Sequence, residues 1–103
     1  MIIIETYESF INNILKTRGR FNCGDEYCER HHILPKSNGG TDDDINLIDL
    51  YAKEHFIAHK LLAIENPNNR QYVMAYFCMA HMQNNHRCGK YECTPEEYED
   101  SRK

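Results

Sequence analysis

Apolar residues recur at helical spacing near the start of the chain. Residues 6–18 carry them at positions i, i+3, i+4, i+7 and i+8, namely Tyr7, Phe10, Ile11, Ile14 and Leu15. This is the stripe of an amphipathic helix that packs one face against a core. Gly19 follows the stripe, and glycine tolerates the left-handed conformation in which many helices end. The pattern predicts a supporting helix over residues 6–18.

The next segments favour strands. Residues 27–34 form a short run with β-branched and aromatic members that ends before Pro35, a residue that cannot donate to a strand ladder. Residues 37–40, Ser-Asn-Gly-Gly, are typical of a turn. Residues 46–51 then alternate between two faces. Together these segments predict a two-stranded antiparallel ribbon.

Three further helices are predicted after the ribbon. Residues 52–65 are rich in Ala, Leu, Lys and Glu and end at an Asn-Pro-Asn-Asn cluster. A supporting helix within 69–84 has an apolar face predicted from Tyr72, Val73, Tyr76, Phe77 and Ala80, with Cys78 in the core. Residues 94–102 open with Thr-Pro-Glu-Glu, the pattern of a capping box, and predict a last helix. The expected fold class is therefore α+β.

Length and composition suit one small domain over residues 1–103. Hydrophobic residues make up 41% of the 103 positions and charged residues 27%, which is ordinary for a globular protein. Neither a signal peptide nor the roughly 20 apolar residues needed to span a bilayer is visible, so we expect a cytoplasmic protein. The net charge of −4 argues weakly against tight, autonomous binding to nucleic acid.

Four of the five cysteines form two units of C-x4-C spacing, Cys23 with Cys28 and Cys88 with Cys93. An intracellular chain has little use for disulfides, and cysteine pairs are common zinc ligands. A structural four-cysteine zinc site would stabilise a domain with a thin core. The alternative is four ordinary small thiols whose similar spacing is coincidence.

The histidines are the main candidates for chemistry. His55 and His59 lie one helical turn apart on the helix predicted over 52–65, so both imidazoles can reach one ion. His31 and His32 are adjacent in a predicted strand and point to opposite faces. If the ribbon packs on the helix, one of this pair completes a three-histidine metal site. The other then faces the cleft and is free to take a proton.

The segment ERHHILPKSNGG…NLIDLYAKEHFIAH resembles the motif of the HNH endonucleases, whose fold is the ββα-metal finger. It is most similar to the compact HNH proteins of phages and mobile elements. The likeness continues into the predicted helix before the ribbon and into residues 66–102, with the core motif over residues 27–65. The resemblance implies a ribbon packed on a helix, with additional flanking helices.

The resemblance also implies roles for individual residues. His31 matches the metal ligand on the strand, and His55 and His59 match the two ligands on the helix. His32 matches the general base that deprotonates the attacking water, and Asn46 matches the residue that braces the loop and orients that base.

Other charged residues have no role that the motif requires. Arg30, Lys36 and Lys53 can contact phosphate, although solvated side chains are the ordinary interpretation. The acids at 42–44 and Glu54 are interpreted as solvated. Three imidazoles favour zinc or nickel by ligand softness, whereas manganese and magnesium remain alternatives.

The function that the resemblance implies is metal-dependent hydrolysis of DNA, by nicking or by double-strand cleavage, in a bacterial or phage-infected cell. The partner is DNA, and no membrane is involved. An alternative of another class is a catalytically inactive, zinc-stapled nucleic-acid-binding module that keeps the same scaffold. Both functions use one set of histidines, and only the first needs a free base.

Overall fold

The structure is a computed structural model that describes residues 5–81 and 92–102. It contains two antiparallel strands and four α-helices, so the chain has the predicted α+β fold. In chain order the elements are α1 (Tyr7–Thr17), β1 (Cys28–His32), β2 (Leu47–Tyr51), α2 (Ala52–Glu65), α3 (Arg70–Ala80) and α4 (Pro95–Arg102). Within the described residues, no helix has the length and the apolar content to cross a membrane.

The two strands form a ribbon whose register decides which face each histidine occupies. Cys28 pairs with Tyr51, and His31 pairs with Ile48. Successive strand residues point to opposite faces. His31 therefore lies buried beneath the ribbon, whereas the side chain of His32 is 29% exposed. Both strands are shorter than the predicted runs.

Helix α2 is the centre of the molecule because it is covered on two sides. Its Ala58 joins a cluster with α1 and the ribbon, formed by Ile11, Ile14, Ile48 and Leu50. Its Ala52 and Phe56 join a second cluster with α3 and α4, formed with Ala80, Cys93 and Tyr98. Because α2 is buried on two faces, its position is fixed, and so are the positions of His55 and His59 on it.

The ends of α1, α2 and α4 are held by polar contacts. Thr94 and Glu97 form the predicted capping box, in which each backbone N–H donates to the other side chain. Glu54 is not a solvated acid, since its carboxylate accepts two hydrogen bonds from Arg18 at 2.8 and 2.7 Å. Glu54 also accepts from the backbone N–H of Tyr51 and so caps α2. This contact joins the end of α1 to the start of α2.

The predicted apolar face of α3 is wrong in part. Tyr72 and Ala80 are buried, but Val73 and Phe77 are exposed. Cys78, predicted to lie in the core, is also exposed. Since nearly every residue of this helix is apolar, its sequence does not single out one face, and packing against α2 selects the side that carries Tyr72 and Ala80.

Candidate metal centre

Three histidines from β1 and α2 meet beneath the ribbon. The ring centroids of His31, His55 and His59 form a nearly equilateral triangle with sides of 5.1, 5.0 and 4.8 Å. One ring nitrogen of each lies within 4.8 Å of the others. Within residues 5–81 and 92–102, this is the one group of three or more such side chains that can hold a metal ion.

The chemistry of these nitrogens suits a metal ion. His55 Nε2 and His59 Nε2 are 3.1 Å apart, so two nitrogens of one helix converge on the same point. The buried Nδ1 of His59 has no hydrogen-bond partner among the described residues. Imidazole nitrogens are ligands for zinc, nickel and other divalent transition metals. The residues present therefore fit a divalent ion.

The environment keeps His31 and His59 uncharged near neutral pH. Burial, followed by the neighbouring charges of His59 and His55, lowers the pKa of His31 well below its ordinary value. Burial, followed by the neighbouring His55, lowers the pKa of His59 to about 4. A neutral imidazole keeps the lone pair that a metal needs. Near neutral pH both side chains are therefore ready to bind an ion without first losing a proton.

A carboxylate that sequence reasoning did not single out supports the triad. Glu29 Oε1 lies 2.8 Å from His55 Nδ1, and its carboxylate also accepts from Tyr27 and Tyr98. Burial raises the pKa of Glu29, but the hydrogen bonds from His55, Tyr27 and Tyr98 outweigh it and lower the pKa to about 2. Glu29 is two strand positions before His31, and this period-2 spacing was the available signal.

His32 lies at the edge of the same cleft, on the opposite face of β1. Its Nε2 is 2.8 Å from Asp42 Oδ1, and Lys36 Nζ is 2.9 Å from Asp42 Oδ2. These two contacts, that of His32 first, lower the pKa of Asp42. Asp42 is thus a partner of His32 and Lys36, although its side chain is 69% exposed, as expected of a solvated acid.

Asn46 joins the two strands across the connecting loop. Its Oδ1 accepts from the backbone N–H of Leu34 at 2.8 Å, and its Nδ2 donates to the carbonyls of Leu34 and Thr41. Gly40 passes so close that a Cβ there would lie 1.6 Å from the Leu34 carbonyl oxygen. The close approach of Gly40 and the amide of Asn46 fix the loop that carries Asp42 toward His32.

The four histidines share one cleft of about 270 Å³. Its lining residues come from β1, the loop after it and α2, namely Arg30, His31, His32, Pro35, Lys36, His55 and His59. Three of them converge beneath the ribbon, and the fourth is held at the rim by a carboxylate. The four side chains are thus placed three and one, whereas their roles as ligands and as base stay predictions.

Two curated proteins of Enterobacteria phage T4 match most of this chain. Probable mobile endonuclease E is 38% identical over 76 residues, which are 74% of this chain and 53% of that protein. Probable mobile endonuclease D is 41% identical over 76 residues, which are 69% of this chain and 29% of that protein. Over these residues the chain is similar to probable mobile endonucleases of phage T4.

This relationship confirms the similarity to compact phage endonucleases that the sequence predicts. The chain spans about half the length of the T4 endonuclease E and less than a third of endonuclease D. No family model matches the chain, and no solved structure matches it.

The predicted phosphate-binding cations all have acidic partners. Arg30 forms an ion pair with Asp49 and lies over the ring of Phe21. Lys36 pairs with Asp42, as described above. The third, Lys53, pairs with Glu96 at 3.1 Å. Only Arg30 and Lys36 line the histidine cleft. A role in phosphate binding stays a prediction for all three.

The structure describes three of the four cysteines of the predicted zinc site. Cys23 is buried and lies beside Cys28, and burial is the main cause that raises the pKa of Cys23 to about 11. Cys93 belongs instead to the cluster around Phe56, and its Sγ lies 3.6 Å from the carbonyl of Met79. Cys88 is outside the described residues. The four-cysteine zinc site stays a prediction.

The metal-free protein is expected to lose stability on acidification from pH 6.5 to pH 4.5. In this range the unfolded chain protonates His59 at its ordinary pKa of 6.5, whereas the folded chain resists protonation down to about pH 4. Acid therefore favours the unfolded state. The titration of His59 lowers the free energy of unfolding by up to about 3 kcal/mol over the full interval between its unfolded and folded pKa values. His31 acts in the same direction.

Urea unfolding of the metal-free protein at pH 7.0, 5.5 and 4.5 measures this effect. A His59→Gln variant, which cannot titrate, is the control and should show a shallower dependence on pH. An equal pH dependence in both proteins would contradict the prediction.

Proposed function

We propose that the chain is a metal-dependent HNH endonuclease that hydrolyses phosphodiester bonds of DNA. The observation that carries this proposal is the cleft in which three convergent histidines lie beside a fourth histidine held on a carboxylate. The relationship to phage proteins named as probable mobile endonucleases supports it. Residues 1–103 would form one nuclease domain, with its core motif over 27–65.

His31, His55 and His59 would hold one divalent ion. When bound, such an ion would neutralise charge at the scissile phosphate and stabilise the leaving 3′ oxygen. Three protein ligands leave positions open for a substrate, the pattern of catalytic rather than structural metal sites. The ligand set favours zinc or nickel, with manganese and magnesium as alternatives.

His32 would act as the general base. An ionised Asp42 can only accept a hydrogen bond, so Nε2 of His32 carries the proton and Nδ1 keeps its lone pair. Nδ1 takes a proton from water, whose oxygen forms the new bond to phosphorus. The bond from phosphorus to the 3′ oxygen breaks with its electron pair on that oxygen, which takes a proton from a solvent water and is released as a hydroxyl. The products carry 5′-phosphate and 3′-hydroxyl ends.

Asn46 would contribute to catalysis through the loop that it braces. Its three hydrogen bonds hold the backbone at Leu34 and Thr41, on either side of the loop that reaches His32. Holding a catalytic group in one geometry reduces the cost of reaching the transition state. Arg30 and Lys36, at the same cleft, are the cations best placed to meet a phosphate.

Conversion of supercoiled plasmid to nicked or linear DNA tests the proposal. Protein stripped of metal is incubated with Mg²⁺, Mn²⁺, Ni²⁺ or Zn²⁺ in separate reactions. Cleavage is expected with at least one ion, should stop with excess EDTA and should return when the ion is restored. Ligation of the nicked product by a DNA ligase checks for 5′-phosphate and 3′-hydroxyl ends.

Absence of cleavage with every ion would overturn the endonuclease proposal. DNA binding without cleavage, measured by fluorescence anisotropy, would then favour the inactive nucleic-acid-binding module. The same anisotropy measurement with EDTA present shows whether metal is needed for binding itself.

A further inference from the structure

Two tyrosines reach the histidine triad from helices that lie outside the ribbon and α2. Tyr7, at the start of α1, places its hydroxyl 2.7 Å from His31 Nε2. Tyr98, on α4, places its hydroxyl 3.1 Å from Glu29 Oε1, and that oxygen is 2.8 Å from His55 Nδ1. Each outer helix thus reaches the candidate metal centre through one tyrosine hydroxyl. That of Tyr7 contacts His31 directly, and that of Tyr98 acts through Glu29.

The contact at Tyr7 fixes where the proton of His31 lies. The Tyr7 hydroxyl is also 2.6 Å from the carbonyl oxygen of Ile33, which can only accept. The hydroxyl has one proton and donates it to this carbonyl, so its oxygen accepts from Nε2 of His31. His31 therefore carries its proton on Nε2, and Nδ1 keeps the lone pair that a metal ion needs.

The contact at Tyr98 has the same effect through a carboxylate. Tyr27 and Tyr98 both donate to the carboxylate of Glu29, so Glu29 Oε1 is the acceptor of its contact with His55. Nδ1 of His55 therefore carries the proton, and Nε2 is left with the lone pair. The hydroxyl of Tyr98 donates to both oxygens of Glu29, at 3.1 and 3.4 Å. Such outer partners of a ligating histidine fix its tautomer and orientation.

Both hydroxyls are held firmly by their surroundings. Tyr98 is 3% exposed, and its ring packs 5.6 Å from that of Phe56 on α2. Tyr7 packs against the cluster between α1 and the ribbon. Its backbone N–H donates to Glu65 Oε2 at the end of α2, at 2.6 Å. The two tyrosines are therefore anchored on the helix that carries His55 and His59.

We propose that Tyr7 and Tyr98 are positioning residues, which select the nitrogen that His31 and His55 present to the bound ion. This inference rests on the proposed metal centre and deepens it. His59 has no such partner among the described residues, since its Nδ1 is buried without a hydrogen bond. Two ligands of the centre are thus arranged before binding. The third, His59, donates from Nε2 to the lone pair of His55 Nε2 at 3.1 Å, so its proton would move to Nδ1 when Nε2 binds the ion.

Substitution of each tyrosine by phenylalanine removes the hydroxyl and keeps the ring. Tyr7→Phe is expected to weaken Co²⁺ and Zn²⁺ binding about 10-fold, within the 10–100-fold range typical of outer partners of metal ligands. Tyr98→Phe is expected to weaken binding less, because Tyr27 still donates to Glu29. Isothermal titration calorimetry of the metal-free protein at pH 7 gives the affinities.

Tyr76→Phe is the matched control. Its hydroxyl also donates to a glutamate, Glu92, at 2.6 Å, and its ring also packs on Phe56. Among the described residues, neither Tyr76 nor Glu92 forms a hydrogen bond or a ring contact with a histidine of the triad. The control should therefore bind both ions as tightly as the wild-type protein, even if its stability falls.

Long-range ¹H–¹⁵N NMR of the imidazole nitrogens shows which nitrogen of each histidine carries the proton. A tyrosine with a merely structural role would not change this tautomer. In the metal-free wild-type protein, His31 is expected as the Nε2–H tautomer. In Tyr7→Phe, a mixture of the two tautomers is expected, with His55 unchanged. Unfolding of each metal-free variant in urea separates a loss of stability from a loss of metal affinity.

The outcomes distinguish this inference from the proposed function. If the wild-type protein binds metal and both phenylalanine variants bind it equally well, only the positioning inference is overturned. An Nδ1–H tautomer of His31 in the wild-type protein would also overturn it. If the wild-type protein binds neither ion, the metal centre itself fails. Weaker binding in Tyr7→Phe with normal binding in Tyr76→Phe supports the inference.

Discussion

Replacing His32 by alanine is expected to lower the rate of DNA cleavage by orders of magnitude and to leave metal binding intact. The side chain lies at the rim of the histidine cleft and makes its hydrogen bond to Asp42 rather than to the triad. A positioned general base contributes about 10²–10⁴-fold to rate. Cleavage of plasmid DNA should therefore fall by about that factor, while the affinity for the ion should not change.

The measurement combines plasmid cleavage with calorimetric titration of the same preparation by Mn²⁺ or Zn²⁺. His81→Ala is the matched control, because His81 stacks on Phe77 at the end of α3 and lines no part of the cleft. Full activity of His32→Ala would reject His32 as the base. Loss of metal binding together with activity would instead place His32 among the ligands.

Replacing His59 by alanine is expected to remove metal binding, and cleavage with it. The loss of affinity should exceed the roughly 10–100-fold that substitution of an outer partner costs, because a ligand itself is lost. In an excess of about 100 times the wild-type Kd, the ion should stabilise the wild-type protein by about 2.7 kcal/mol. The variant should show no such gain.

Chemical unfolding with and without Zn²⁺ measures this difference. Lys60→Ala, at the exposed next position of α2, is the control and should keep the full gain. In the metal-free protein, His59→Ala removes the packing of the ring and also a buried nitrogen that has no hydrogen-bond partner. These two changes act oppositely on stability, so the test compares each protein with and without Zn²⁺. A gain from metal equal to that of the wild-type protein would contradict the assignment of His59 as a ligand.

The local elements follow from short-range patterns. The stripe from Tyr7 to Leu15 predicts α1, and the Ala, Leu, Lys and Glu content of residues 52–65, ended by the Asn-Pro-Asn-Asn cluster, predicts α2 with its bounds. Spacing also predicts that His55 and His59 share a face and that His31 and His32 do not. These properties depend only on the helical and strand periods, which a sequence displays directly.

The face of α3 could not be predicted in the same way. Its sequence is apolar on nearly every side, so Val73, Phe77 and Cys78 seemed as suitable for the core as Tyr72 and Ala80. Local periodicity carries no information when both sides are apolar. Packing against α2 resolved the choice.

The sequence by itself determined the α+β elements and the two histidine pairs, whereas the bracing role of Asn46 was implied only by the resemblance to the HNH motif. Only the tertiary structure showed which outer groups hold the histidines. Tyr7 is 24 residues from His31, and Tyr98 is 69 residues from Glu29. Neither spacing belongs to a helical or strand period, so no local pattern signals the contact. Both contacts exist because α1 and α4 pack on opposite sides of α2, which carries two of the three histidines.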